Sequence, residues 1–441
     1  MIQVKMIWEK TNSYEGTVWS QFIEYEKFKL PYNCMNFKTT ERLEFHELLK
    51  YFENHLKQQI MPFWLEHCVD HERGGFNNCV NDDGSLVSTE KFLWSQGRAL
   101  WVLSSLYNDF DGDPKWLELA TPLARLLIDK GRTPDGDWFF SLNADGSPKK
   151  ASQSIYVNAF CTYGLTEFAR ATGDSESLEV SLDSFKYVSP QLDDHSSFQT
   201  QPHLIPTGFQ AHGPLMIFAL VFHDLGCLSG NKDIKDGALA LAERIMTQHL
   251  KPEKKLLYEF VRPGGELVDS DIGKTIVPGH VIESMWFMAR IYSHHGLSDR
   301  LKIVLETIRW HLELGWDSDF GGIRLACHAD NGNAAWHIPD AKIWWPHTES
   351  LLALLQAYEI NHAEWAIEWY WKVHEYTFSH FPNQQHGEWF HNLNREGIPM
   401  RPYLRDLPVK DPFHLPRTLI YSILILKRLA AKSIKVQNIS T

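Results

Sequence analysis

Two histidines stand where the chain would place an imidazole at the start of a helix, a position suited to proton transfer. His280 follows a Pro-Gly turn, and Glu283 lies three residues on, on the same face of the predicted helix. His414 is bracketed by Pro412 and Pro416 in a rigid turn just before the last predicted helix. A neutral imidazole accepts a proton near neutral pH and can return it, so both positions suit reversible acid–base chemistry.

The carboxylate beside the first of these histidines can be interpreted in two ways. Glu283 could hold His280 in one tautomer, or it could bind a substrate hydroxyl beside it. A helix-capping histidine with a surface ion pair gives the same His-x-x-Glu pattern. His414 lies 134 residues after His280, so the two rings could converge only across a ring-shaped fold.

Tryptophan and arginine recur together in segments that could bind a polar ligand, such as a sugar, whose flat faces are apolar. Trp94, Arg98 and Trp101 fall on one face of a predicted helix. An arginine between two indoles is either a cation–π contact of the core or a clamp on a sugar oxygen beside a stacked ring. The same mixture returns at Trp345, followed by Glu349 in a first helical turn, where a carboxylate could also simply cap the helix.

Two motif-like runs do not predict a site. Gly273, Lys274 and Thr275 imitate the end of a phosphate loop, but Val268 stands where the first glycine of that loop is required. His67 and His71 are four residues apart without the glutamate of H-E-x-x-H or an evident third ligand. We therefore predict neither a nucleotide cradle nor a metal site.

The composition is that of a soluble globular protein that binds neither nucleic acid nor membranes. The 441 residues are 44% hydrophobic and carry a formal net charge of −12 without a basic block. The apolar run 419–426 is too short to span a bilayer. The six cysteines form no C-x-x-C pair and no signal-like segment opens the chain, so we expect free thiols and a cytoplasmic protein. Its 17 tryptophans suit either stacking on sugars or a helix-rich core.

A repeat of helices and short hairpins supplies the elements that must position these residues. Helical segments with apolar residues at three- and four-residue spacing alternate with hairpins rich in glycine and tryptophan. The hairpins at Gly75 and Trp138, and those at Tyr258 and Gly321, are each 63 residues apart. This period divides the region 45–430 into about six units. We predict an all-α fold, an (α/α)6 barrel (a six-hairpin toroid) with short β-hairpins at one rim; an open solenoid is the alternative.

The predicted domain organisation is simple because no proline- or serine-rich linker divides the repeats. We expect an irregular N-terminal arm over residues 1–40, a single barrel domain over residues 41–432 and a C-terminal tail over residues 433–441.

Five motifs in one order resemble the N-acylglucosamine 2-epimerase and cellobiose 2-epimerase superfamily. The motifs are W-x-x-x-R-x-x-W, P-G-H-x-x-E, K-x-W-W-P-H-x-E, G-E-W-F-x-x-L-N-R-x-G and F-H-x-P-R. The resemblance runs from about Glu47 to the last helix and is strongest to the N-acylglucosamine 2-epimerase branch. It implies an (α/α)6 barrel and an isomerase.

The resemblance also implies a reaction and roles for residues. A sugar 2-epimerase would interconvert N-acylglucosamine and N-acylmannosamine: one histidine removes the proton from carbon-2 of the open-chain sugar, and a second returns one to the opposite face. By motif match the catalytic residues are His280 and His414. Arg98 matches the arginine that faces the carbonyl oxygen of the enediolate. The substrate-binding residues expected from the motifs are Trp94, Arg98, Trp101, His212, Glu283, Trp345, Glu349 and Arg417.

The resemblance further implies which partners and cofactors to expect. The partner is a small-molecule sugar, the family is often homodimeric, and the reaction needs no metal or redox cofactor. ATP activation, which occurs in parts of the N-acyl branch, has no support in the sequence.

One segment departs from the N-acylglucosamine 2-epimerase pattern. That branch carries basic residues where this chain has residues 207–216, and His212 there resembles a histidine of the cellobiose and mannose branches. The alternative function is therefore an aldose–ketose isomerase or 2-epimerase of neutral hexoses such as mannose, fructose or glucose. Two others are a glycoside hydrolase with Glu283 and Glu349 as its carboxylates, and a non-catalytic sugar-binding module.

Overall fold

The computed structural model describes residues 7–13, 16–22, 37–400 and 409–437. The chain forms two compact units, Met1–Glu44 and Phe45–Thr441. In the first unit, strands β1 (Ile7–Ser13) and β2 (Gly16–Phe22) pair antiparallel. An irregular arm was predicted over residues 1–40, so this strand pairing was not expected. The rest of that arm up to residue 36 lies outside the described residues.

Thirteen α-helices, counted over the described ranges, follow one another along the chain. They are α1 (Phe37–His55), α2 (Met61–His67), α3 (Leu93–Ser105), α4 (Lys115–Lys130), α5 (Ile155–Thr172), α6 (Ser175–Val188), α7 (His212–Ser229), α8 (Lys232–Arg244), α9 (Pro278–His294), α10 (Ser298–Gly315), α11 (Trp344–Asn361), α12 (Glu364–His380) and α13 (His414–Gln437). A π-helical turn, Leu56–Ile60, joins α1 to α2. The last helix extends beyond residue 432, where the predicted barrel domain ends.

Six of the helices close into an inner ring. Helix α3 packs on α5, α5 on α7, α7 on α9, α9 on α11 and α11 on α13, and α13 returns to contact α3. Each of α4, α6, α8, α10 and α12 packs outside the inner helix that precedes it, and the turn Leu56–Ile60 contacts α13. Because the first and last inner helices touch, the fold is an (α/α)6 barrel and not an open solenoid, which confirms the predicted fold class.

The inner helices are buried on nearly all sides because each has neighbours in the ring and in the outer layer. Among the described residues one helix, α7, is apolar and long enough to span a membrane, but 78% of it is buried inside the barrel. Its apolar composition is therefore that of a core helix. Between α3 and α5, Gly97 and Gly164 allow close approach: a Cβ on Gly97 would lie 2.3 Å from the carbonyl oxygen of Phe160, and one on Gly164 2.3 Å from that of Gly97.

Short strands join successive units at one rim. They are β3 (Cys79–Val80), β4 (Leu86–Ser88), β5 (Lys91–Phe92), β6 (Ser141–Leu142), β7 (Pro148–Lys150), β8 (Gln210–Ala211), β9 (Leu250–Lys251), β10 (Leu256–Leu257), β11 (Phe260–Val261), β12 (Thr275–Ile276), β13 (Cys327–His328), β14 (Lys342–Ile343) and β15 (Asn392–Leu393). Strands β5, β8, β12 and β14 lead into inner helices and pair antiparallel with β6, β11, β13 and β15 of the following hairpins. The hairpins therefore gather where inner helices begin.

Buried lysine–carboxylate pairs fix several of these helix starts. The Nζ atom of Lys91, two residues before α3, lies 2.8 Å from an oxygen of Asp70. Lys342, two residues before α11, makes the same contact with Asp317 at 2.8 Å. Because a buried charge is costly without its partner, these pairs specify the position of the rim strands.

Candidate active site

The rim where the inner helices begin brings most of the predicted site residues together. His280 lies in the first turn of α9, His414 is the first residue of α13, and Glu349 lies in the second turn of α11. Arg98 lies in the second turn of α3, and His212 begins α7. Ring closure thus places residues that are more than 300 positions apart in sequence at one mouth.

His280 is held by a carboxylate that the sequence analysis did not single out. Its Nδ1 donates a hydrogen bond to Oε2 of Glu259 at 3.0 Å, and Glu259 is 4% exposed between β10 and β11. Because Nδ1 donates to this carboxylate, Nε2 is the ring nitrogen that can exchange a proton. Burial alone would lower the pKa of His280, but the charge and hydrogen bond of Glu259, with a further contribution from Glu283, raise it above its usual value.

His414 has the same arrangement with a different carboxylate. Its Nδ1 donates to Oε1 of Glu349 at 2.7 Å, which again leaves Nε2 for chemistry. The other oxygen of Glu349 accepts a hydrogen bond from the indole nitrogen of Trp286 at 2.9 Å, and Arg417 binds Oε1 at 2.7 Å. Burial alone would raise the pKa of Glu349, but Arg417 and His414 lower it, so this carboxylate is ionised.

A single indole lies beside both histidines. The ring of Trp345 stacks on His280 at a centroid distance of 5.1 Å and 28° between planes, and it lies 5.7 Å and 34° from His414. Trp345 is half-buried, so part of its surface is open at the rim. The two imidazoles and this indole therefore line one recess.

Glu283 contacts Arg417, which lies beside His414, and not the ring of His280. Its Oε1 binds Arg417 and lies 3.9 Å from Nδ1 of His414. The interpretation of Glu283 as the group that fixes the tautomer of His280 is wrong, because Glu259 occupies Nδ1. The surface ion pair is wrong as well, since Glu283 is 4% exposed.

Arg98 is a fixed and partly accessible cation. Its guanidinium donates to Oδ1 of Asp411 at 2.8 Å and lies over the rings of Phe160, at 3.9 Å, and Trp94, at 4.9 Å. Burial would raise the pKa of Asp411, but Arg98 and His414 lower it to about 2. The same carboxylate accepts the backbone N–H of His414 at 3.0 Å, so Asp411 couples the position of Arg98 to the start of α13. Asp411 was not among the site residues predicted from the sequence, although it lies three residues before His414.

Trp101 lies in the core and not at the rim. Its side chain has no exposed surface and stacks on Tyr163 at 5.3 Å, with the edge of Phe413 at 5.4 Å. The predicted contact of Trp101 with a sugar is therefore corrected to a packing role. Trp94, by contrast, is half-buried beneath the guanidinium of Arg98.

His212 and Tyr156 surround the carboxylate of Glu259. His212 is fully buried, with Nδ1 3.8 Å from Oε2 of Glu259, so it supports that carboxylate and does not line the recess. Burial lowers the pKa of His212, which Glu259 opposes only in part, so the ring is neutral. A Cβ on Gly213 would lie 2.4 Å from the hydroxyl of Tyr156 and 3.8 Å from Glu259. Burial and Glu259 raise the pKa of Tyr156, so this phenol, which the sequence analysis missed, stays protonated as a donor.

The cluster of Glu283, Glu349 and His414 has the donor atoms for a metal ion, all within 4.8 Å of one another. The guanidinium of Arg417 binds both carboxylates and lies over the ring of Phe413 at 4.4 Å. Because Arg417 already supplies the positive charge there, the cluster fits an ion-pair network that orients His414 better than a metal site.

Comparisons with known proteins agree with this fold. The model of the N-acylglucosamine 2-epimerase family matches residues 74–408. The N-acylglucosamine 2-epimerase of Homo sapiens is 30% identical over 82% of this chain and 86% of its own length. The cellobiose 2-epimerase of Bacteroides fragilis is 25% identical over 80% of this chain and 92% of its own. The solved cellobiose 2-epimerase of Spirochaeta thermophila has the same fold, with a TM-score of 0.76 and 20% identity over 89% of this chain and 99% of that one.

Proposed function

Because the chain belongs to the N-acylglucosamine 2-epimerase family, we propose that it is a sugar 2-epimerase, an isomerase that interconverts N-acylglucosamine and N-acylmannosamine. One observation carries the proposal: two imidazoles, His280 and His414, flank the indole of Trp345, and each donates a hydrogen bond from Nδ1 to a buried carboxylate. Two bases at one recess are what inversion of a carbon acid requires.

The chemistry starts from the open-chain sugar. Nε2 of one histidine takes the proton from carbon-2, and the electrons of the broken C–H bond form the carbon-1 to carbon-2 double bond of an enolate, whose carbon-2 carries the acylamino group. The negative charge then lies on the oxygen of carbon-1, which the fixed guanidinium of Arg98 stabilises. Nε2 of the other histidine gives a proton to the opposite face of carbon-2, so that configuration is inverted and charge is balanced. Glu259 and Glu349 stabilise whichever imidazole is protonated.

The second candidate is an isomerase or epimerase of neutral hexoses, which the departure around His212 favours. If one histidine carried the proton from carbon-2 to carbon-1, the same residues would yield a ketose. Epimerisation and isomerisation thus differ in which carbon the returning proton reaches.

A panel of sugars in heavy water tests the proposed reaction. We expect N-acetylglucosamine and N-acetylmannosamine to interconvert, with deuterium at carbon-2 of the product by NMR. Conversion of mannose or glucose to fructose without reaction of the N-acetyl sugars would favour the second candidate. Release of a reducing sugar from a glycoside, or tight sugar binding without turnover, would contradict both.

The pH dependence tests the pairing of His280 with Glu259. As a base His280 must be neutral, so the rate falls as pH drops through its pKa. Glu259→Gln removes the charge that raises this pKa and leaves the burial that lowers it. We therefore expect a lower kcat and an acid limb of kcat/KM shifted to lower pH.

Glu349→Gln is the matched control for this shift. It alters the partner of His414 and leaves the hydrogen bond between His280 and Glu259 in place. The limb assigned to His280 should keep its position in this variant. An equal shift in both variants, or an upward shift in Glu259→Gln, would contradict the pairing.

The reaction as proposed needs acid–base groups and a cation, all supplied by side chains, and no cofactor. We propose a cytoplasmic location, which free thiols support: Cys68, Cys161, Cys227 and Cys327 are free cysteines within the described ranges. A homodimer is the assembly expected from the family.

A further inference from the structure

A cysteine and two histidines converge at the end of the barrel opposite the candidate active site. Sγ of Cys227 lies 3.8 Å from Nε2 of His223 and 3.9 Å from Nδ1 of His294. One ligand atom from each of the three side chains lies within 4.8 Å of the others. This cluster was not predicted from the sequence, because it combines residues of two helices that are far apart in the chain.

Helix packing explains why these side chains meet. His223 and Cys227 are four residues apart, so they occupy the same face of α7 on successive turns. His294 is the last residue of α9, the next helix of the inner ring, which packs on α7. The cluster thus spans two ring neighbours.

We propose that His223, Cys227 and His294 bind one Zn²⁺ ion, with a fourth coordination position open to solvent. Zinc takes thiolate sulfur at about 2.3 Å and imidazole nitrogen at about 2.0–2.1 Å in tetrahedral geometry, which places neighbouring N and S ligand atoms about 3.5 Å apart. The two observed distances from Sγ to nitrogen exceed this spacing by a few tenths of an ångström, and the two histidine nitrogens lie within 4.8 Å of each other. Small side-chain rotations would therefore bring all three atoms into coordination range.

The surroundings allow an ion to enter and be held. Cys227 and His294 are exposed, whereas His223 is buried and its Nδ1 has no hydrogen-bond partner among the described residues. Asp224 lies next to the cluster but is bound by Arg290 at 3.0 Å, so the carboxylate and the guanidinium largely neutralise each other. On binding, the thiol proton of Cys227 passes to solvent as the S–Zn bond forms, so affinity should rise with pH.

The position of the cluster predicts an effect on stability and not on turnover. His223 is eleven residues beyond His212 on α7, about 16 Å along the helix axis from the rim. His294 is fourteen residues beyond His280 on α9, about 21 Å away. A bound ion would cross-link two inner helices far from the proposed catalytic residues.

Titration of the metal-free full-length chain with Zn²⁺, and separately with Co²⁺ as a spectroscopic probe, tests the proposal. We expect one ion per chain, a thiolate-to-cobalt charge-transfer band and a higher Tm with zinc. Cys227→Ser and His294→Gln should each weaken binding at least about tenfold and remove both the band and the Tm increase. Epimerase activity should be unchanged by these substitutions.

Two matched variants keep the test specific. Cys327→Ser removes a different, half-buried thiol, and His295→Gln alters the imidazole next to His294; both should bind zinc like the unaltered chain. Binding that survives Cys227→Ser unchanged would overturn the proposal. So would binding that is lost equally in Cys327→Ser, or zinc that inhibits the enzyme in all variants, which would place the ion at Glu283, Glu349 and His414.

Discussion

His280→Ala and His414→Ala are each expected to slow epimerisation at carbon-2 by about 10²- to 10⁴-fold, because each variant lacks one of the two proposed proton-transfer groups. In both, we expect the sugar still to bind, because the proposed binding residues Arg98 and Trp345 are unaltered. Since inversion requires a base on one face and an acid on the other, the remaining histidine cannot carry out both proton transfers efficiently. The measurement is the initial rate of interconversion of N-acetylglucosamine and N-acetylmannosamine by NMR.

Deuterium exchange in the same samples distinguishes a variant that lacks only one base from a variant whose whole site is disrupted. The remaining histidine can remove a proton from the epimer whose carbon-2 hydrogen faces it and return deuterium to the same face. His280→Ala should therefore exchange one epimer and His414→Ala the other, which also assigns each histidine to a direction. His337→Ala, at an exposed histidine beside Trp336, is the control and should keep full activity. Exchange of the same epimer by both variants would contradict a two-base mechanism.

The barrel could be predicted from sequence because its signals are local and repeated. The apolar periodicity of the helices is visible within one unit, and the 63-residue spacing of the hairpins is visible by comparing one unit with the next. The strand pairs between units are not, because β5 and β6 contribute two residues each and are 49 positions apart. Such short pairs depend on the helices around them and not on their own β-propensity.

Part of the candidate site could likewise be predicted from local sequence, and part of it could not. His280 and His414 stand at helix starts marked by proline, so their placement at the rim follows from local sequence. Glu259 could not be recognised, because a glutamate in a hairpin usually faces solvent and only ring packing brings it to His280. Sequence spacing pointed instead to Glu283, which shares a helix face with His280, but Arg417 from α13 binds that carboxylate. Local spacing shows which residues can meet and not which partner binds more closely.

Trp101 was predicted to contact a ligand, but it lies in the core. One helical face with Trp94, Arg98 and Trp101 suggests a single surface, yet α3 belongs to the inner ring and is covered on several sides. Trp94 and Arg98 lie toward the rim, whereas Trp101 is one turn deeper and packs on Tyr163. Depth along the barrel axis, which periodicity does not report, decides which of the three can contact a ligand.

Arg417→Met is expected to lower the free energy of unfolding by about 3–5 kcal/mol, because it leaves buried carboxylates without their cation. Arg417 is fully buried and binds both Glu283 and Glu349. Methionine has a similar length and fills the space, so the loss is mainly electrostatic. Denaturant unfolding followed by circular dichroism measures the difference between variant and unaltered chain.

The pH dependence of that difference identifies its cause. Burial alone would raise the pKa of Glu349, but Arg417 and His414 lower it, so its stabilisation is present above the pKa of the unfolded chain and is lost as pH falls. Without Arg417, burial is opposed by His414 and by the indole N–H of Trp286. The destabilisation should be largest near neutral pH and diminish as acid protonates the carboxylate. Arg428→Met, on the same helix, breaks an exposed pair with Glu359 and should cost about 0–1 kcal/mol at any pH. A loss in Arg417→Met that is equally small, or that does not diminish in acid, would show that Arg417 is not the cation that holds these carboxylates around His414.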